Sequence, residues 1–347
     1  MHDIALAPDT QRAGSLPADA DIAPPPGGLS LAELRFSDPA AVAAADHAAR
    51  HWTFPEPGPL RPGTQQHSRA VAAMFRETFN PYKPTIIDWP KLDPEARDRL
   101  VTLPIWDIAV QTEGKARIRM SAYADTVADP DWHAAVLLNG WEEGRHKTVL
   151  SNLVAAYGIK LEPEPPYPPP RHTEWAYLVT GFSECIDSFF AFGLFALAKQ
   201  SGFFPPELVD TFEPVMQEEC RHILLFANWL AWHRATLPWW RRPYFEAMVA
   251  AAWVFLAWER IGIARGMDDG KDKPQGTKKK QDNNFTVTGS KAVSNVDVSV
   301  PELMALCLEE NDRRFAGYDH RLLRPTTTPS LTRLALRFMR RPKPAAA

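Results

Sequence analysis

An all-α protein built round a four-helix bundle is what this sequence predicts, on three grounds. From Ile105 onward the chain runs in long proline-free stretches with apolar residues at helical spacing. The breaks between those stretches are explicit: Asp129-Pro130, a proline-rich run over 162–171, and a Gly-to-Pro turn over 202–206. With 347 residues, 45% hydrophobic and 23% charged, the chain can bury one large core or two modest ones, and wholesale disorder is excluded.

Taken in order, residues 1–65 read as a disordered or extended tail, rich in Ala, Pro, Asp and Gly, and the first 90 residues offer no visible chemistry beyond one short helix over 66–79. Four long helices follow at 105–128, 131–158, 172–201 and 206–235. Short turns make the first pair and the last pair antiparallel hairpins, and the proline-rich link carries the chain from one hairpin to the other. A fifth apolar helix spans 243–263 and closes a helical unit over 66–265. Residues 266–300 read as a solvated polar loop, and 301–347 as one more helix through Phe315 and then an arm.

Several function classes fall away on composition. A net charge of −3 gives no field for nucleic acid or an anionic membrane, and Lys278-Lys279-Lys280 has no interleaved aromatics, so it reads as exposed chain. The longest uncharged apolar stretch, 247–258, has 12 residues, against the roughly 18 that a span needs, so no membrane span is expected. Cys185, Cys220 and Cys307 form neither a disulfide framework nor a zinc site; with no leader sequence visible, the expectation is a reducing, cytoplasmic setting.

The chemistry lies in a repeated pattern. Glu142-Glu143-Gly144-Arg145-His146 sits in the second long helix and Glu218-Glu219-Cys220-Arg221-His222 in the fourth. Positions i and i+3 share a helix face, so Glu143 with His146, and Glu219 with His222, each present a carboxylate beside an imidazole. Opposite them, Glu113 is the acidic member of the stripe Trp106, Val110, Met120, Tyr123, Val127, and Glu184 interrupts the stripe Tyr177, Gly181, Ala191, Ala198. Folding at the turns puts Glu113 and His146 each about 16 residues from Asp129-Pro130, roughly 24 Å from the bend. The second hairpin repeats that register for Glu184 with Glu219 and His222. Two congruent halves, each with one Glu and one Glu-x-x-His, fit a dinuclear metal site. Two divalent cations would balance four carboxylates that could not otherwise stay ionised together. Imidazole and carboxylate suit iron and manganese alike.

Around this set, Glu142, Glu218, Arg145 and Arg221 are expected to orient the imidazoles across helices. Asp187, one turn from Glu184, either touches the site or a proton path or pairs with a helix neighbour. His233 either lines a substrate channel or is a core or helix-end histidine, the latter being favoured. Cys220 points to another face from Glu219, and His133 and His172 sit near helix starts as surface groups. Trp141, Trp175, Phe182, Phe189, Phe190, Phe226 and Trp229 could wall an apolar pocket, although most would simply be core.

Over 105–235 the two Glu-Glu-x-Arg-His segments resemble the ferritin-like di-iron carboxylate superfamily, and within it are most similar to the soluble acyl-carrier-protein desaturases. The resemblance implies a ferritin-like four-helix bundle with flanking helices. It implies that Glu113, Glu143, His146, Glu184, Glu219 and His222 ligate two Fe ions, with Mn or mixed Fe/Mn as options. It also implies that the site activates O2 to hydroxylate, desaturate or N-oxygenate an apolar or aromatic substrate, either a small molecule or carrier-bound. Two departures are visible: the spacings from Glu113 to Glu143 and from Glu143 to Glu184 are shorter than in the desaturases, and Asp187 stands where they carry a small hydroxyl residue. No glycine fingerprint for a dinucleotide and no cysteine cluster is present, so electrons are expected from an external donor protein. A homodimer is compatible with this reading. The alternative is a ferritin-like iron-handling or peroxide-scavenging protein, against which the long flanks weigh.

Overall fold

The computed structural model describes residues 23–31, 38–84, 88–268 and 298–339, with side chains through Arg260 in the stretch that ends at Asp268. Among the described residues the regular structure is helical throughout. The elements are α1 (Pro39–His51), α2 (Gln65–Glu77), α3 (Pro94–Thr102), α4 (Trp106–Ala124), α5 (Pro130–Tyr157), α6 (Thr173–Gln200), α7 (Pro206–Asp210), α8 (Glu213–Thr236), α9 (Arg242–Asp268), α10 (Val300–Phe315) and α11 (Thr327–Phe338).

Local chemistry sets many of the boundaries. Asp38, Thr64, Asp93 and Asp129 each accept a backbone N–H from the first turn of α1, α2, α3 and α5, satisfying donors that have no partner inside the helix. Ser299 and Glu302 form a reciprocal cap at the start of α10. Gly158 ends α5 at φ 67°, a left-handed conformation in which a Cβ would be strained.

The four long helices α4, α5, α6 and α8 pack so that α4 and α8 each lie against both α5 and α6. Helix α2 covers α5 and α8, α9 lies on α6, and α10 runs along α6. Gly181 lets α6 approach α8, because a Cβ there would enter the ring of Phe226. By length and composition α6 could cross a membrane, but 61% of its most apolar window is buried inside the protein, as for a core helix. On α9 and the turn before it, Trp239, Trp240, Tyr244, Val254 and Trp258 remain exposed.

Several boundaries depart from the sequence reading. The region assigned to an N-terminal tail contains α1, whose Ala-rich stretch is capped by Asp38 and starts at Pro39. Helix α3, over 94–102, was not anticipated. The expected helix over 206–235 is two, α7 and α8, because Pro214 lacks the N–H that a continuous helix would use and instead sits in the first turn of α8. The C-terminal arm contains α11. Most of the expected polar loop, residues 269–297, and the first 22 residues lie outside the described residues.

Candidate metal centre

The two repeated motifs face each other in the centre of the long helices. Glu143 and His146 project from α5, and Glu219 and His222 from α8, with one ligand-type atom of each lying within 4.8 Å of the others. The imidazoles of His146 and His222 are stacked with centroids 5.3 Å apart. From α4, Glu113 Oε2 lies 3.8 Å from His146 Nδ1, and from α6 Glu184 lines the same cavity. All six residues singled out in the sequence are thus brought to one region.

The ring nitrogens divide their work. On the outer side, His146 Nε2 lies 2.7 Å from Glu218 Oε2, and His222 Nε2 lies 2.9 Å from Glu142 Oε2. Each imidazole is therefore held by a carboxylate from the other helix. On the inner side, His146 Nδ1 lies 3.3 Å from Glu219, and His222 Nδ1 lies 2.8 Å from Glu143. Neither Nδ1 makes a hydrogen bond of acceptable geometry.

Buried arginines complete the crossing. Arg145 donates to Glu218, and Arg221 donates to both oxygens of Glu142 at 2.9 and 3.1 Å. Helix α2 and the chain just after it, where the sequence showed no chemistry, complete these contacts. Arg145 donates to the carbonyls of Asn80 and Tyr82 and lies 4.0 Å from the Tyr82 ring centroid. Tyr82 Oη donates to Glu218 Oε2 at 2.9 Å. Arg221 donates to Thr78 Oγ1 at 2.9 Å and to the Phe75 carbonyl, with the Phe75 ring under its guanidinium at 4.3 Å. Asn139 and Ser188 donate to Glu143 and Glu219 at 3.2 and 3.1 Å. Asn139 lies one turn before Glu143 on the same helix face, whereas the other partners come from other helices or from the chain after α2, where motif spacing does not reveal them.

Electrostatics separates the carboxylates into two groups. Burial pushes Glu142 up, but Arg221 and His222 outweigh it and leave the carboxyl at about 2; for Glu143, His222 and His146 do the same against burial, also to about 2. Glu113 and Glu184 go the other way, held well above the usual carboxylate range by burial and by the neighbouring Glu143 carboxylate. Burial pulls both histidines down, and carboxylates more than reverse this: Glu143 and Glu142 bring His222 up to about 10, and Glu218 and Glu219 raise His146 well above its ordinary value.

The other candidates resolve individually. Asp187 lines the cavity and is also paired, accepting from Ser183 at 2.7 Å and from Arg260 at 2.9 Å. His233 does not line the cavity; it lies 2.7 Å from Glu174 near the end of α8, against Trp229. Cys220 is buried outside the cluster, its thiol pushed up to about 12 by burial. His133 lies 2.9 Å from the Ala124 carbonyl, and His172 is exposed.

A cavity of about 320 Å³ opens from Glu113, Glu143, His146, Glu184 and Glu219. Its apolar part includes Trp106, Leu194, Phe195, Phe204, Phe212 and Met216. None of the seven aromatics that the sequence offered for a pocket wall lines it, because most of them pack against other rings in the interior.

Comparison with protein-family models, with curated proteins and with solved structures finds no match to this chain.

Proposed function

We propose that this protein is a di-metal carboxylate oxidoreductase, and that its four long helices form a ferritin-like four-helix bundle holding two iron ions, or manganese, to oxidise an apolar substrate with O2. The observation that carries this reading is the set of inward-facing atoms lacking hydrogen-bond partners: Nδ1 of His146 and His222 and both carboxylate oxygens of Glu184. A buried polar group without a hydrogen bond, as at Glu184, costs about 1–3 kcal/mol, and cations would satisfy these inward-facing atoms together. The donor set, four carboxylates and two imidazoles, matches the chemistry of a pair of hard-to-borderline divalent ions.

In this reading Glu113, Glu143, His146, Glu184, Glu219 and His222 hold the ions, which when bound would supply oxygen activation. The chain's own residues do the rest. Glu142 and Glu218 accept from Nε2 of the two histidines, fixing the tautomer that turns Nδ1 inward. Arg221 keeps Glu142 ionised against its burial, and Arg145 donates to Glu218. The apolar wall of the cavity binds the substrate and keeps water from the reacting bond. An external donor protein would deliver electrons, since the sequence carries no dinucleotide fingerprint or cysteine cluster. The cavity beside the cluster favours a substrate oxidase over iron storage or peroxide scavenging.

Anaerobic titration with ferrous iron tests the reading. About two irons per chain, followed by an optical transient on mixing with O2, is the expected result. Zero or one iron overturns it, and mineral uptake far beyond two per chain favours storage.

A further inference from the structure

The cavity carries its cationic side chains toward one end and its larger apolar surface toward the other, with Glu113 and Glu184 between. Along α4, Arg119 lies six residues after Glu113, about 9 Å, whereas Trp106 lies seven residues before it, about 10 Å in the other direction. Along α6, which runs the opposite way, Thr180 and Ser183 precede Glu184, and Ala191, Leu194 and Ala198 follow it. Arg119, Thr180 and Ser183 thus lie to one side of Glu113 and Glu184, and Trp106, Leu194 and Ala198 to the other, with Thr112, Asp187 and Ser188 close to the two glutamates. Leu103, Phe204 and Phe212 add to the apolar end.

At the cationic end Arg119 lines the cavity and donates to Thr180 Oγ1 at 3.3 Å. It forms no ion pair within 4.0 Å among the described residues. Glu259 on α9 lies near enough to act on its charge, but burial is the larger influence on the guanidinium. Lys115, one turn before Arg119, lines the same end, while Asp187 there is engaged by Arg260. Lys115 also feels Glu259 and Glu164, so Arg119, whose side chain donates to a hydroxyl, is the cation at this end best placed to meet a ligand. A guanidinium held off water with a hydroxyl as its partner is suited to a carboxylate or a similar oxyanion, which it can grip through two N–H groups.

Resting on the oxidase reading above, we propose that the substrate is an elongated apolar molecule ending in a free anion, with Arg119 binding the anionic head and the Trp106–Phe212 end of the cavity taking the tail. The reacting position is then internal, on the order of 9 Å from the head, where the molecule passes Glu113 and Glu184. Such a ligand enters with its own charge exposed, so it needs no carrier protein to present it. Arg119 is the residue that distinguishes it from a neutral molecule of the same length.

Binding calorimetry on the full chain tests this, using dodecanoate and 4-hexylbenzoate against their uncharged alcohols, with and without Mn(II). The wild type is expected to prefer each acid to its alcohol by about tenfold or more, as for a charge-assisted hydrogen bond in a partly dry site. Arg119→Gln is expected to abolish most of that preference while leaving alcohol affinity within about twofold, and Arg119→Lys to restore part of it. Equal affinity for acid and alcohol in the wild type overturns the proposal, as does an unchanged preference in Arg119→Gln. Should Arg119→Gln fail to fold, Thr180→Val, which removes the hydroxyl that positions the guanidinium, must weaken the preference or the proposal falls. Because this readout needs no redox chemistry, acid preference without metal uptake sinks only the oxidase reading. Metal uptake without acid preference sinks only the head-group assignment.

Discussion

His146 on α5 is held through Nε2 by Glu218 on α8, at 2.7 Å, and not by any carboxylate of its own helix. Its Nδ1 is thereby turned toward Glu219 and Glu113. Replacing Glu218 by Gln keeps the size but removes the charge that anchors the ring and engages Arg145. Mn(II) affinity, measured by competition with a chelator, should fall about 10–100-fold. An affinity equal to wild type would show that the imidazole is oriented by something else.

Arg221 is buried and donates to both oxygens of Glu142, at 2.9 and 3.1 Å. Arg221→Met should therefore destabilise the fold by about 3–5 kcal/mol, because it strands a buried carboxylate. Adding Glu142→Gln to that variant should recover part of the loss. The check is urea denaturation of the three proteins, and independent, additive effects of the two changes would contradict the coupling.

Gly181 faces the Phe226 ring across the α6–α8 contact. Gly181→Ala should cost about 1–3 kcal/mol by overpacking, and Phe226→Leu in the same chain should relieve much of it. The thermal midpoint reports both, and a neutral single substitution would mean that the two helices can separate freely.

The two motifs were legible because their spacing alone puts a carboxylate and an imidazole on one face, and Glu113 and Glu184 because turn positions fix the register of each hairpin. Arg145 and Arg221 could be assigned to cross-helix roles for the same reason. Tyr82, Thr78 and Phe75 were not legible: they reach the centre from a segment about 60 residues or more before the nearer motif, and no periodicity records that contact. Nor was the cavity wall, since Phe182 and Phe226 satisfy each other while Phe195, Phe204 and Phe212 face the void. A proline such as Pro214 can open a helix as readily as end one, so the break between α7 and α8 was missed.

Asp319 offers a pH-dependent test remote from the metal centre. Burial pushes its carboxyl up, but Arg321 and the backbone N–H groups of Arg321 and Phe54 outweigh this and hold it at about 2. A folded value below the unfolded one stabilises the protein at pH above the unfolded value, near 4, and this contribution is lost as pH falls through about 2. Wild type should accordingly melt higher than Asp319→Asn at pH 6, and the gap should shrink steadily between pH 4 and pH 2. A gap that is constant over that range would remove the carboxylate charge as its cause.

The crossed pairing of Glu142 with His222 and Glu218 with His146 makes the two hairpins interdependent. A chain cut in the proline-rich connection after Ile159 would yield two pieces, neither of which could aim its own imidazole. Mixed together, they could regain that aim only by docking face to face, so metal uptake by the mixture would report reassembly of the halves directly.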